Sequence, residues 1–285
     1  MRFLKYIIRA CIRKICLVLS AILPRSGWRS RVRDFGDHLN IMLFRSEIEA
    51  FIRSYPKVLS EASTLRLLVE EGKSIARFGD GEFKLIIGER HKSFQDVDEV
   101  LNDRMLEVLK SKHPDVIVGI HPVRDFDGLG RIWQKFIIRI GREVLALLDA
   151  EREYASTGVF HRLPTGSPDV FEERISAIKQ LWSGRKVLIV VGRNSRFHFE
   201  PELFDNVASV DYVYGPPKNA FHEYDRLINE VHNYDPKDYL VLLVLGPTAT
   251  VMAYDLALIG YQAIDFGQMP SKYVAAKKLV YSGSD

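Results

Sequence analysis

With 285 residues, 47% apolar and 27% charged side chains and a net charge of +3, the chain suits one large α/β domain, or a domain with an appendage, and shows no sign of extensive disorder. The charge is uneven: residues 1–34 carry nine Lys/Arg against Asp34 alone, which is +8 and leaves −5 for the rest, so the mildly acidic body argues against nucleic acid as a partner. Cys11 and Cys16 are the only cysteines and both lie near the N-terminus, which excludes a disulfide framework or a cysteine zinc site from the body.

The chain divides on composition into a basic amphipathic N-terminal segment, residues 1–45, and a folded body, residues 46–285. Leu4 to Leu23 is mostly apolar but is interrupted by Lys5, Arg9, Arg13 and Lys14, and the longest uncharged run, Ile15 to Leu23, is too short to span a bilayer. As a helix, this stretch offers an apolar face of Ile7, Ile8, Cys11, Ile12, Ile15 and Leu19. It reads as a helix lying in an anionic membrane interface, with Arg25, Arg29, Arg31 and Arg33 adding attraction; Trp28 fits an interface anchor and core packing equally well. A docked structural helix and a secretory signal are the alternatives, although no A-x-A cleavage pattern follows.

Next comes an apolar-periodic helix ending at Gly72, then Ser74 to Phe78 as a strand, then the hexapeptide Arg77-Phe78-Gly79-Asp80-Gly81-Glu82. Gly79 and Gly81 permit close approach of a ligand to the backbone. If the chain stays extended, Asp80 and Glu82 point to the same side and can share one hard cation, Mn2+ or Mg2+, which would in turn hold a diphosphate. The hexapeptide reads equally as a helix start, with Asp80 as cap and Glu82 complementing the dipole. As a dinucleotide fingerprint it fails, because Lys84 stands at the third glycine.

Further strands are expected at 116–120, 186–191, 209–213, 239–245 and 262–266, with helices at 96–111, 129–150, 168–182, 219–233 and 249–259, some closed by glycine as at Gly184 and Gly260. This alternation predicts an α/β fold: a Rossmann-like, mostly parallel sheet with helices on both faces. Ligands of such sheets sit beyond the carboxyl ends of the strands, where Asn194 in Gly192 to Arg196, Asn219, Gly246 and Thr248 in Gly246 to Thr250, and Asp265 are found. Thr248 or Thr250 can serve as a helix cap, and Asp265 can bind a ribose hydroxyl or cap a turn. No G-x-S-x-G, Walker or H-E-x-x-H motif is present. The eight histidines are scattered; His121, His161, His198 and His222 are each eligible for a site, but each alone reads first as a structural or surface histidine.

Taken in order, Arg77-Phe78-Gly79-Asp80-Gly81-Glu82, Pro217-Lys218-Asn219-Ala220-Phe221, Gly246-Pro247-Thr248-Ala249, Tyr254-Asp255-Leu256 and Gly260 to Gly267 resemble the bacterial glycosyltransferases of the GT-D fold over residues 57–270. The resemblance implies a metal-dependent transferase that moves a sugar from a nucleotide sugar, usually a uridine diphosphate sugar. Asp80 and Glu82 would be the metal site. Arg77 would orient the carboxylates or reach a phosphate, with Phe78, Gly79, Gly81, Asn194, Asn219, Gly246, Thr248 and Asp265 around the donor. One departure is Gln268, where family members tend to have His; it keeps a hydrogen bond but cannot carry positive charge. The acceptor is expected to be a surface glycan, lipid-linked if the N-terminal segment places the enzyme at the inner face of the membrane. The alternatives are a non-catalytic nucleotide-binding or membrane-surface module with a structural carboxylate pair, and a phosphate-ester hydrolase. Asp125, Asp127, His161 and Glu223 are all eligible as general base.

Overall fold

The computed structural model describes residues 2–23, 26–89 and 95–282. Arg25, counted above among the basic residues, lies outside them. In chain order these residues form α1 (Arg2–Ile22), α2 (Ser26–Leu43), α3 (Arg45–Ser54), α4 (Glu61–Glu70), β1 (Ser74–Phe78), α5 (Asp80–Ile86), α6 (Glu99–Lys110), β2 (Val116–Ile120), α7 (Arg131–Leu147), β3 (Ala155–Ser156), α8 (Pro168–Lys179), β4 (Lys186–Gly192), β5 (Ser209–Gly215), α9 (Tyr224–Val231), β6 (Tyr239–Val244), α10 (Pro247–Leu258), β7 (Gln262–Asp265) and α11 (Met269–Tyr281). Short 3-10 turns occupy Thr157–Phe160, Pro201–Leu203 and Ala220–Glu223.

The chain falls into two units, one of residues 1–56 and 123–151, the other of residues 57–122 and 152–285. The larger unit holds a seven-stranded sheet in the order β3-β2-β1-β7-β6-β4-β5, with every pair parallel. Strand pairing explains why the central runs are so apolar. Val187, Ile189 and Val191 of β4, with Leu240, Leu242 and Val244 of β6 and Ile264 of β7, face one core built with α4, α8 and α11. The alternate residues Leu188, Val190, Val241, Leu243 and Ala263 face a second core built with α9 and α10. Both faces are therefore covered, as expected for a parallel sheet. Trp182 is fully buried in the first core, and its indole N–H donates to the Leu203 carbonyl at 3.1 Å, which ties the end of α8 to the turn before β5.

Helix ends follow local chemistry. Ser60 caps α4 by accepting from the Ser63 amide at 3.0 Å, and Asp98 caps α6 by accepting from Leu101 at 3.0 Å. Three differences from expectation stand out. Residues 80–86 are helical where an extended chain was the premise for a shared carboxylate face. The helix expected at 219–233 is split, because Asn219 sits in the left-handed region at φ 54° and opens a 3-10 turn before α9 begins. The third is α11, read from the sequence only as the residues beyond the last strand, although Met269, Tyr273, Ala276 and Val280 bury at helical spacing behind Pro270 in the first turn.

The smaller unit consists of α1, α2, α3 and α7. On α7, Phe136, Ile137, Ile140, Gly141 and Val144 face inward, and a Cβ on Gly141 would lie 3.0 Å from the Phe51 ring of α3. Helices α1 and α2 pack closely at one point: a Cβ on Gly36 would lie 2.5 Å from the Cys16 sulfur. Lys5 of α1 donates to Glu47 of α3 at 2.8 Å, and Lys135 of α7 pairs with Asp37 of α2 at 2.7 Å.

Candidate active site

The site begins at the carboxyl ends of β1 and β7. All of β1 is buried, so Arg77 enters the interior with its guanidinium near the strand end. A buried cation needs a partner, and Asp265 at the end of β7 supplies it: Arg77 Nη2 donates to Asp265 Oδ1 at 3.0 Å. The Arg77 amide donates to Asp265 Oδ2 at 3.3 Å, and the single Thr250 hydroxyl proton is shared between that oxygen (3.3 Å) and the Arg77 carbonyl (3.1 Å). Asp265 thus spends both oxygens on anchoring β1 to β7 and α10. Gly267 makes room for the guanidinium: its φ is +60°, and a Cβ there would sit 2.5 Å from Arg77 Nη2.

Arg77 Nη1 also lies 2.8 Å from His161 Nδ1, and the guanidinium stands 5.8 Å from the centre of the Phe160 ring. Arginine only donates, so His161 Nδ1 must be the acceptor and its proton sits on Nε2. The surrounding protein, then Arg77 and Lys272, lower the imidazole to about 3, so it is neutral at physiological pH. As a neutral ring with Nδ1 already occupied, His161 is poorly suited to the role of general base. Beside it, His121 at the end of β2 is lowered to about 4 by desolvation and by Arg162, while Asp80 pulls the other way. Arg162 and Lys272, both exposed, form a basic rim next to the two histidines.

The acidic side is built by α5. Gly79 is its N-cap, Asp80 its first residue and Glu82 its third. Successive helical residues turn about 100°, so the two carboxylates leave the helix about 200° apart rather than on one face. Glu82 Oε2 folds back to accept from the Gly79 amide at 2.9 Å, the reciprocal half of a capping box. Asp80 pairs with Lys84 one turn on. Glu82 is pushed up to about 7, first by desolvation, then by Asp265 and, more weakly, by Asp80. Burial, with two other carboxylates nearby, thus disfavours the charged form of Glu82, a setting that a divalent cation would relieve. Among the described residues no three His, Cys, Asp or Glu side chains form a ready-made metal cage. Each carboxylate keeps a second oxygen, a hard donor of the kind Mg2+ or Mn2+ takes beside water and phosphate, although their divergence from the helix does not by itself aim them at one ion.

The other expected residues are placed as follows. Phe78 is fully buried against Phe83, which leaves its backbone as the part at the strand end. Gly81 lies within the first turn of α5. Gly246 caps α10 at φ 60°, ψ −140°, a conformation that needs glycine. Thr248, in the first turn, is fully buried, and its hydroxyl has no partner among the described residues; the Gln268 side-chain oxygen is likewise buried and unpartnered. These orphaned groups stand at the starts of α10 and α11. Asn194 is exposed at φ 53° after β4. Asn219 is committed to Asp96, accepting from its amide and donating to its carboxylate, both at 2.8 Å. Among the described residues no hydrogen bond joins Asn194 or Asn219 to the Arg77 cluster. The loops that carry them approach each other closely, since a Cβ on Gly192 would lie 2.8 Å from the Pro216 carbonyl. Glu223, one of the eligible bases, is engaged by Arg226, and Asp125 accepts from the Gly128 amide at 2.6 Å.

The family model described as the glycosyltransferase GT-D fold matches residues 75–282, from inside β1 to the end of α11. The chain belongs to the GT-D family. A solved domain of unknown function 1792, reported to have a distinct glycosyltransferase fold, superposes on this GT-D chain with a TM-score of 0.74 at 30% identity, covering 81% of this chain and 85% of that one. A glycosyltransferase of the same domain type from Streptococcus sanguinis superposes with a TM-score of 0.70 at 28% identity, covering 78% and 85%. Among curated proteins, the GT-D chain is 32% identical to the probable glycosyl transferase Gly of Streptococcus gordonii over 76% of its own length, and 30% identical to glycosyltransferase GlyD of Streptococcus pneumoniae serotype 4 over 74%. It spans only 32% and 26% of those two proteins.

Arg162, Lys272 and the tie between Arg77 and His161 are what sequence reasoning missed. Arg162 follows a 3-10 turn with no periodic signature, and Lys272 lies on the helix that went unread. The spacing of Met269, Tyr273 and Ala276 was the signal that could have placed it.

Proposed function

We propose that this chain transfers a sugar from a nucleotide sugar, with uridine diphosphate as its carrier, to a surface-glycan acceptor, using Mn2+ or Mg2+ held by Asp80 and Glu82. The observation that carries the reading is the gathering, at the ends of β1, β2 and β7, of the Asp80 and Glu82 carboxylates near a rim of Arg162 and Lys272. The metal, when bound, would neutralise charge on the diphosphate as the glycosidic bond breaks. The chain's own residues do the rest. Arg77 and Asp265 lock the strand ends that position α5, Arg162 and Lys272 supply positive charge for phosphate oxygens, and the orphaned Thr248 hydroxyl and Gln268 oxygen offer hydrogen bonds to the nucleotide. Neutral His161, its proton on Nε2, acts as a hydrogen-bond donor.

The acceptor is read as lipid-linked and the working place as the inner face of the membrane, supported by the basic amphipathic α1; no described helix is long and apolar enough to cross a bilayer. A second reading, a nucleotide-binding module without transfer activity, is favoured by one observation: Asp80 and Glu82 already have structural partners in Lys84 and the Gly79 amide.

Calorimetric binding of uridine diphosphate with and without Mn2+, on the wild type and on an Asp80→Asn, Glu82→Gln double variant, separates the two. Metal-dependent binding that the variant loses supports the transferase. Metal-independent binding that the variant retains supports the module and removes the metal assignment.

A further inference from the structure

The two N-terminal helices carry more exposed apolar surface than a folded chain leaves open without use. On α1 the inward positions are 5, 9, 12, 16 and 20, while Ile15, Val18 and Ile22 point outward; Val18 is 60% and Ile22 73% exposed. The second helix repeats the pattern: Trp28, Phe35 and Met42 recur every seven residues on one outward stripe, with Trp28 55% and Phe35 62% exposed. Gly36 lets α1 and α2 meet at Cys16, so the two stripes belong to one closely packed hairpin.

Charge decides what covers these stripes. Residues 1–34 carry +8, and among the described residues Arg13, Lys14 and Arg31 enter no ion pair. A second copy of the chain would bring two such segments face to face, whereas an anionic surface complements them. Crossing the bilayer is not open to either helix, because neither is long and apolar enough. A helix pair with outward apolar stripes and basic flanks suits the headgroup boundary, lying in its plane.

We propose that the α1–α2 hairpin is a membrane-docking surface for anionic phospholipid, in which both helices and not α1 alone enter the interface. This deepens the membrane-facing part of the function proposed above and is independent of the donor site.

The test is flotation of the full chain with vesicles of phosphatidylcholine alone or containing roughly one third phosphatidylglycerol. The wild type floats with the anionic vesicles, less so at high salt, and its tryptophan emission, to which Trp28 contributes, shifts to the blue. A Val18→Asp, Phe35→Asp variant partitions about tenfold more weakly or worse. Both positions are exposed, so the fold is retained, as checked by circular dichroism; a milder Val18→Ser, Phe35→Ser variant gives the same ordering if the first misfolds. Failure of the wild type to float, equal flotation by the variants, or a lipid-free dimer that the variants dissolve would each overturn the proposal. Uridine diphosphate binding measured on the same variants stays at the wild-type value. Vesicle binding without nucleotide binding in the wild type would instead count against the donor-site reading.

Discussion

Replacing Arg77 with Met tests whether the Arg77–Asp265 pair organises the site. Methionine keeps much of the side-chain length, so the change removes charge and hydrogen bonds more than volume. It leaves Asp265, itself 6% exposed, as an uncompensated carboxylate and His161 Nδ1 without its donor. Breaking a buried pair from one side costs about 3–5 kcal/mol, and the lost contact with the Phe160 ring adds up to about 1 kcal/mol. The Arg77 amide and the Thr250 hydroxyl still donate to Asp265, which holds the loss toward the lower end, about 3 kcal/mol. Urea unfolding followed by fluorescence measures it. An Arg77→Met, Asp265→Asn double variant then recovers a large part of the loss, because the neutral amide no longer needs a counter-charge. A single-variant loss below about 1 kcal/mol, or a double variant whose loss equals the sum of the singles, would refute the argument that charge compensation at the strand ends holds β1 to β7.

Two other changes follow from the same geometry. His121 and His161 are lowered to about 4 and about 3 in the fold, below the ordinary imidazole value, so their contribution to stability is complete above about pH 6.5 and is lost as pH falls toward those values. Solvent reaches the exposed His161 and screens part of the effect, leaving about 1 kcal/mol to be lost between roughly pH 6.5 and 5; a His161→Gln variant has a flatter profile in urea midpoints across that range. Gly36→Leu forces a side chain into the Cys16 sulfur and destabilises the helix pair by about 1–3 kcal/mol, read as faster proteolysis within α1 and α2 while the sheet unit keeps its protection from hydrogen exchange.

The sheet was legible because buried parallel strands write themselves as uninterrupted apolar runs rich in Val, Ile and Leu, and Val187 to Val191 or Leu240 to Val244 leave little else to consider. What escaped was short or depended on distant partners. The two residues of β3 are too few for a pattern, and α11 announces itself only by the spacing of Met269, Tyr273, Ala276 and Val280 among exposed lysines. The hexapeptide and Asp265 were singled out from residue type and position alone. Their relation was not, since sequence cannot show that Arg77 spends its charge on Asp265 and Nδ1 of His161. The expectation of a shared carboxylate face failed for a local reason: with Gly79 as cap, the chain enters α5 at once, and Glu82 is used to satisfy the cap amide.

The strand order also has a consequence for biosynthesis. β7, formed by residues 262–265, lies between β1 and β6 and is bonded to both. As the chain leaves the ribosome, β1 to β3 and β4 to β6 can each assemble, but each half keeps an open edge until the final strand arrives. Asp265, the partner of Arg77, travels on that strand. Sheet closure and site assembly are therefore one late event, and a nascent chain that stalls before residue 262 exposes two sticky edges and holds an unpaired buried cation. Such a product is a natural target for quality control, because the Arg77–Asp265 pair is missing from it until residue 265 has been made.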